Sequence, residues 1–427
     1  MIRMLVSVLC FSCIPHDSLR LARVARCWLV MCVALCGVCQ GIRLANAQDA
    51  NVKETNLQDI LANEDNSQDV DAQKVVRWNY STEQLVPFWT SGIIYRESVL
   101  FVRDEKTGEA RASVLFPIQD VIAVEDASGT IQYTAGEDFE FAGGSREIMV
   151  PASSRIITKA AIDLRRPAGS QKYRLTHRDG NGEILFGSTL EYHQMQTWIT
   201  YSKAVLDWPV AMPAFSDSAL PNTIAKLRKH ESVSVVLLGD SISTGCNASG
   251  WAEGPPFQPA YQDLFKMHLE ESYVTDIQLA NLSVGGMSAP WGLSQIPKVT
   301  ELKPDLVIIA FGMNDSAGRS AEQYRENVSQ MISSVSESCP NAEFILIATM
   351  LGNRDWTTLK HGVFPQYRDA LASLCGPGIA LADMTSVWEE FLRRKKDCDL
   401  TGNGVNHPND FGHRVYAQVL ASLLVEN

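Results

Sequence analysis

Downstream of Pro221 the chain alternates two kinds of hydrophobic pattern. Stretches at 233–238, 275–282, 306–311, 344–348 and 379–382, most of them predominantly apolar, read as buried strands. Between them, apolar residues return at helical spacing. In 321–338, Tyr324, Val328, Met331, Ile332 and Val335 share one face, and 260–272, 366–374 and a last stretch from about 409 to 424 also read as helices. Strand–helix alternation of this length predicts a parallel sheet covered by helices on both faces, an α/β domain over 225–427. A ligand site in such a sheet lies beyond the carboxyl ends of its strands.

Upstream the rhythm differs. Over 74–205, short β-type runs such as Val99-Leu100-Phe101-Val102, Val121-Ile122-Ala123-Val124, Ile131-Gln132-Tyr133 and Ile148-Met149-Val150 are separated by turn formers. Asp126-Ala127-Ser128-Gly129 and Asp179-Gly180-Asn181-Gly182 are two such turns. The pattern predicts a smaller β-sandwich of jelly-roll type, either a structural cap or a module that touches substrate. Residues 48–73 are polar and acidic without an aromatic side chain, the composition of a disordered linker.

Residues 1–47 read as a signal peptide. Arg20, Arg23 and Arg26 precede an apolar run from Cys27 to Val38, and Ala45-Asn46-Ala47 fits a small-residue cleavage site. Export to a periplasmic or extracellular space follows, with an uncleaved anchor as the alternative. The run is shorter than the roughly 20 residues of a transmembrane helix, so stable membrane insertion is not expected. The whole chain carries −12 and its first 47 residues +4, which leaves −16 for the rest. So acidic a protein is unsuited to nucleic acid, whose phosphates need clustered Lys and Arg.

Six of the ten cysteines lie in the leader; Cys246, Cys339, Cys375 and Cys398 remain. If these oxidise after export, their places along the fold pair Cys246 with Cys398 and Cys339 with Cys375. Outside the leader there is no Cys-x-x-Cys, and the histidines are scattered, so no metal site and no cofactor are expected.

Three of four chemically suggestive blocks follow successive strand runs and so emerge at one sheet edge. They are Gly239-Asp240-Ser241, Asn281-Leu282-Ser283-Val284-Gly285-Gly286 and Gly312-Met313-Asn314-Asp315. The fourth, Asn406-His407-Pro408-Asn409, opens the last helix. Ser241 can present a hydroxyl at a strand-to-helix turn. Gly286 lets a carbonyl approach the backbone, and the Asn314 amide can donate to an oxyanion without carrying charge. One such donor contributes about 2.7–4 kcal/mol to a transition state. His407 can take the serine proton and return it to the leaving group. His413 is a rival better placed for packing. Asp240, Asn403, Arg354 and Trp356 are candidate substrate contacts, the last two from the loop after the fourth strand; Trp251 and Trp291 follow the serine and glycine blocks.

With these four blocks in this order, residues 230–427 resemble the SGNH hydrolase (GDSL esterase) superfamily. The resemblance implies a flavodoxin-like three-layer α/β/α sandwich. It also implies Ser241 as nucleophile, Gly286 and Asn314 as oxyanion donors and His407 as base. One position departs from the pattern: the aspartate that normally stands three residues before the histidine is replaced by Gly404. Asn403 or a backbone carbonyl can orient the imidazole instead, or Asp397 or Asp399 can reach back across the loop. The expectation is a neutral oxygen, and no carboxylate, against Nδ1 of His407.

The sequence therefore points to an exported serine esterase acting on a small-molecule or polysaccharide ester, acetyl esters of carbohydrate first. The alternatives are a lipase or arylesterase of the same superfamily and a catalytically silent carbohydrate-binding protein. Oligomeric state is not encoded in any feature of the sequence.

Overall fold

The computed structural model describes residues 77–187, 189–204 and 207–426. The expected signal peptide and acidic linker lie outside them. The β-rich part contains β1 (Ile93–Val99), β2 (Phe101–Arg103), β3 (Ala110–Ser113), β4 (Ile118–Asp126), β5 (Glu140–Phe141), β6 (Glu147–Val150), β7 (Thr158–Ala160), β8 (Arg165–Arg166), β9 (Glu183–Ile184) and β10 (Thr197–Lys203). They form an antiparallel sheet β1-β10-β4, a second sheet β5-β6-β3-β2-β7 and a ribbon β8-β9. The run at 131–133 makes no strand beyond a bridge between Gln132 and Glu125. Its start is drawn into a turn by Asp126, whose carboxylate accepts the backbone N–H groups of Ser128, Thr130 and Ile131.

The α/β part is built on β11 (Val233–Gly239), β12 (Ile277–Asn281), β13 (Leu306–Ala310), β14 (Glu343–Ala348) and β15 (Ile379–Asp383). All four neighbouring pairs are parallel, in the order β12-β11-β13-β14-β15. That is the flavodoxin-like order, whose switch point lies between β11 and β13. Alternation along β11 sorts its side chains between two cores. Val233, Val235 and Leu237 pack with Tyr261, Leu264, Phe265, Trp388, Phe391 and the last helix, Asp410–Ala421. Val236 and Leu238 pack with Ile296, Val299, Tyr324, Val328, Met331 and Tyr367 on the other face.

Helix Ala321–Ser338 matches its periodic pattern and starts at a capping box between Ser320 and Gln323. Helices Ala289–Ser294, Ile296–Glu301 and Met384–Arg394 were not anticipated. The first two are short, each with a proline at its second position. The third had a readable signal in Met384, Val387, Trp388, Phe391 and Leu392, all buried.

The two parts share their largest core, which runs from Phe101, Phe116 and Tyr201 through to Phe391 and Val415. A fully buried ion pair crosses between them, Lys395 Nζ to Glu97, with the Tyr201 hydroxyl also donating to Glu97 at 2.8 Å. Arg414, equally buried, donates to the carbonyls of Tyr95 (2.9 Å) and Arg96 (2.8 Å).

The cysteine pairs expected under oxidation are not formed: Cys246, Cys339, Cys375 and Cys398 are free thiols. Each is engaged locally. Cys246 meets the Thr244 hydroxyl at 3.2 Å, Cys339 Sγ faces the Thr300 carbonyl at 3.9 Å, Cys375 donates to the Leu371 carbonyl at 3.4 Å, and Cys398 packs with Leu100, Leu185 and Tyr192.

Candidate active site

The carboxyl ends of β11 and β13 are neighbours at the switch point, and the serine and asparagine blocks follow them directly. Ser241 begins a tight turn in which the Asp240 carbonyl accepts from the N–H groups of Ser243 and Thr244. The Asn281 side chain braces this turn from β12, donating to the Ser243 carbonyl at 2.7 Å. The third block braces the second in the same manner. Asn314 Nδ2 donates to the Met287 carbonyl at 2.9 Å, and the buried Asp315 carboxylate accepts from the Ala289 N–H while holding Arg319 at 2.7 Å. Asn314 has two amide hydrogens, so this bond fixes its orientation and leaves the second free to donate.

His407 Nε2 lies 2.9 Å from Ser241 Oγ, within reach for proton transfer. Its other nitrogen, Nδ1, lies 2.7 Å from Asn247 Oδ1. The neighbours of Asn247 decide which end of its amide faces the histidine. Its Nδ2 faces two acceptors, the carbonyls of Gly402 (3.2 Å) and Thr189 (3.4 Å), which leaves Oδ1 to accept from Nδ1–H. That tautomer leaves Nε2 as an acceptor for the serine proton. Asn247 itself sits at φ +67°, a conformation that asparagine tolerates better than most residues.

Burial lowers the His407 pKa to about 4. The imidazole is therefore neutral near pH 7 and competent as a base. No carboxylate offsets that burial. Asp397 is paired with Arg354 at 3.0 Å, while Asp399 accepts from the N–H groups of Leu100 (2.7 Å) and Lys396 (2.9 Å). The oxygen at Nδ1 is thus neutral, as the sequence led us to expect, but it comes from Asn247. Sequence reasoning missed that residue, which is 160 positions from the histidine.

Ser241, Gly286, Asn314, His407 and Trp356 line one cleft of about 500 Å³, with Gly285, Val405 and Asn406. Gly286 has φ +80°, and an added Cβ there would meet nothing within 4 Å, so its backbone is open to an approaching group. The β-rich part completes the wall with Tyr173, Arg174, Leu175 and Phe186. Residues 176–178 are stitched to the loop after β14, with Arg178 N–H donating to Asp355 O at 2.8 Å and Thr357 N–H to Thr176 O at 3.1 Å.

Three expected substrate contacts are corrected. Asp240 is 1% exposed and accepts from the Ile242 N–H, with burial and then the nearby Asp315 pushing its carboxyl up to about 7. Asn403 is wholly buried; its Oδ1 gathers the N–H groups of Val405, Asn406 and His407 and so shapes the histidine loop. Arg354 faces a different cavity, shared with Asp397 and Lys396. Trp251 and Trp291 do not line the cleft either; Trp291 packs edge-on against Phe311. His413 is buried inside the last helix, where Nδ1 accepts from the Tyr261 N–H and Nε2 donates to the Cys246 carbonyl.

Among the described residues no group of His, Cys, Asp and Glu is arranged to hold a metal. No described helix is long and apolar enough to cross a membrane.

Residues 237–415 match the GDSL-like lipase/acylhydrolase family. Among solved structures, a two-domain esterase active on acetylated mannans, crystallised with mannopentaose, is 19% identical over 49% of this chain and 53% of its own, with a TM-score of 0.39. The match therefore spans about half of that esterase. A mutant acetyl-xylooligosaccharide esterase from Geobacillus is 21% identical over 44% of this chain and 92% of its own, at a TM-score of 0.37. A lipase/acylhydrolase from Enterococcus faecalis is 22% identical over 44% and 93%, at 0.35. No curated protein matches the chain.

Proposed function

We propose that this chain, whose residues 237–415 belong to the GDSL-like lipase/acylhydrolase family, is an exported serine esterase removing short acyl groups, acetyl first, from carbohydrate. The observation that carries the reading is the run Ser241–His407–Asn247, joined at 2.9 and 2.7 Å at the foot of the cleft that Gly286 and Asn314 line. In this reading His407 Nε2 takes the Ser241 proton as Oγ attacks the ester carbonyl. The N–H groups of Ser241 and Gly286 and the Asn314 amide receive the oxyanion. The imidazolium then protonates the departing alcohol, and water hydrolyses the acyl-serine by the same route. Asn247 holds the tautomer throughout, without the charge an aspartate would add.

The cleft wall supports a sugar over a long acyl chain. Tyr173, Phe186 and Trp356 offer ring surface, while Asn406 and the Arg174 guanidinium interrupt it with polar groups. Covering a guanidinium with a hydrocarbon chain would cost several kcal/mol of hydration. Export is supported by the arginine-flanked apolar run and the Ala45-Asn46-Ala47 site.

A chain-length series of 4-nitrophenyl esters, beside acetate release from acetylated oligosaccharides, tests the proposal. kcat/KM is expected to be highest for acetyl and to fall at least about tenfold by octanoyl, a difference of about 1.4 kcal/mol. A rise with chain length would favour a lipase.

A further inference from the structure

We propose that the cleft selects sugar esters carrying a carboxylate near the acylated hydroxyl, and that Arg174 reads that carboxylate. The inference rests on the esterase reading above and names its substrate class.

Five arginines lie between 155 and 178, and four of them are engaged. Arg155 is paired with Asp138 at 2.6 Å, Arg165 with Asp179 at 2.7 Å and Arg166 with Glu191 at 2.5 Å, while Arg178 donates to the Arg354 carbonyl. Arg174 alone of the five has no ion pair or hydrogen bond with a described residue, and it is exposed on the wall of the catalytic cleft. No Asp or Glu lines that cleft, and the histidine in it is neutral. Among the described residues that line the cleft, the guanidinium is thus the single formal charge. Asp355, on the adjoining loop, is turned to His177 at 3.3 Å and lines a different cavity.

In a chain of net charge −12 the overall field repels anions, so an anionic substrate needs a local cation. A guanidinium is suited to that task, because its planar fork meets both oxygens of a carboxylate. Tyr173, the preceding residue, is 48% exposed, held edge-on by Phe186 at 5.3 Å and overlain by the Lys172 ammonium 5.1 Å from its centroid, which places a braced ring and a flanking second cation beside Arg174. The cleft therefore presents a ring face for a sugar, a fork for its carboxylate and Ser241 for its acyl group.

The test is acetate release from a matched pair, an O-acetylated uronate oligosaccharide and its carboxyl methyl ester, with an O-acetylated sugar sulfate as a third arm. Wild type is expected to favour the free acid over the methyl ester by about tenfold or more in kcat/KM, the scale of one charge-assisted hydrogen bond. In Arg174→Gln that ratio should fall to about one, and Arg174→Lys should restore part of it. Added salt should erode the wild-type ratio. A wild-type ratio of one or less, with the methyl ester and 4-nitrophenyl acetate still hydrolysed, would overturn the role of Arg174 and leave the esterase reading standing. A ratio that persists in Arg174→Gln would also overturn it, as would preference for the sulfate over the carboxylate. Failure of wild type on every ester would overturn the esterase reading, and this inference with it.

Discussion

A Cβ placed on Gly404 would lie 2.2 Å from the backbone carbonyl oxygen of Leu185 and 2.8 Å from the Tyr192 ring. The position where the superfamily pattern has its aspartate is thus filled by the β-rich part, and only glycine fits there. Gly404 also holds φ +86°, which other residues adopt at a cost. We expect Gly404→Asp to destabilise the protein by about 3 kcal/mol or more without raising activity, since overpacking and a strained φ act together. Urea unfolding beside esterase assays checks both halves. A stable, faster variant would show that the loop can still accept an acid.

Burial of His407 beside the neutral Asn247 amide sets the pH dependence. The folded pKa of the imidazole is lowered to about 4, and the base works only when neutral. Activity is therefore expected to be full above about pH 5 and to disappear as pH falls through about 4. Asn247→Asp puts a negative charge beside the imidazolium and favours the charged form. The acid limb of kcat/KM should then move upward by about one to three pH units. Asn247→Ala removes the acceptor without adding charge. Turnover should fall by about tenfold to a hundredfold, short of the roughly 10⁴ lost when an aspartate triad receives an amide. An acid limb that stays put in Asn247→Asp would mean that Asn247 does not control the base.

Asn314 places one amide hydrogen on the Met287 carbonyl, and in the proposed mechanism the other serves the oxyanion. Asn314→Ala is expected to lower kcat by about 10²–10³ with little change in KM, the signature of a donor that acts in the transition state. A raised KM with unchanged kcat would make it a substrate-binding residue.

The sheet was legible because strands buried on both faces read as unbroken apolar runs, and β11, β13 and β14 are buried along almost their whole length. Ser241 and His407 were legible because each block stands at an element boundary. Asn247 carries no local mark. Its role comes from a left-handed turn and from a loop 160 positions away. The same holds for Tyr173, Arg174 and Phe186, which reach the cleft only because the segment around them is stitched to residues 355–357. Of the two readings of the β-rich part, cap or substrate-contacting module, the geometry favours the second, since four of its side chains line the cleft. Asn403 misled because an amide one residue from the expected acid looked like a replacement, whereas it is used up by the backbone of its own loop.

In the proposed mechanism Ser241 is the nucleophile, deprotonated by the neutral His407 2.9 Å away. The most direct measurement is intact-mass and peptide mapping after exposure to a 4-nitrophenyl phosphonate, which phosphonylates an activated serine and releases one 4-nitrophenol. The account predicts a single adduct on Ser241 that appears together with loss of esterase activity, is absent from Ser241→Ala, and forms at least about 10³ times more slowly in His407→Ala, because the serine is weak without its base. An adduct on another residue, or esterase activity in Ser241→Ala above a tenth of wild type, would contradict it.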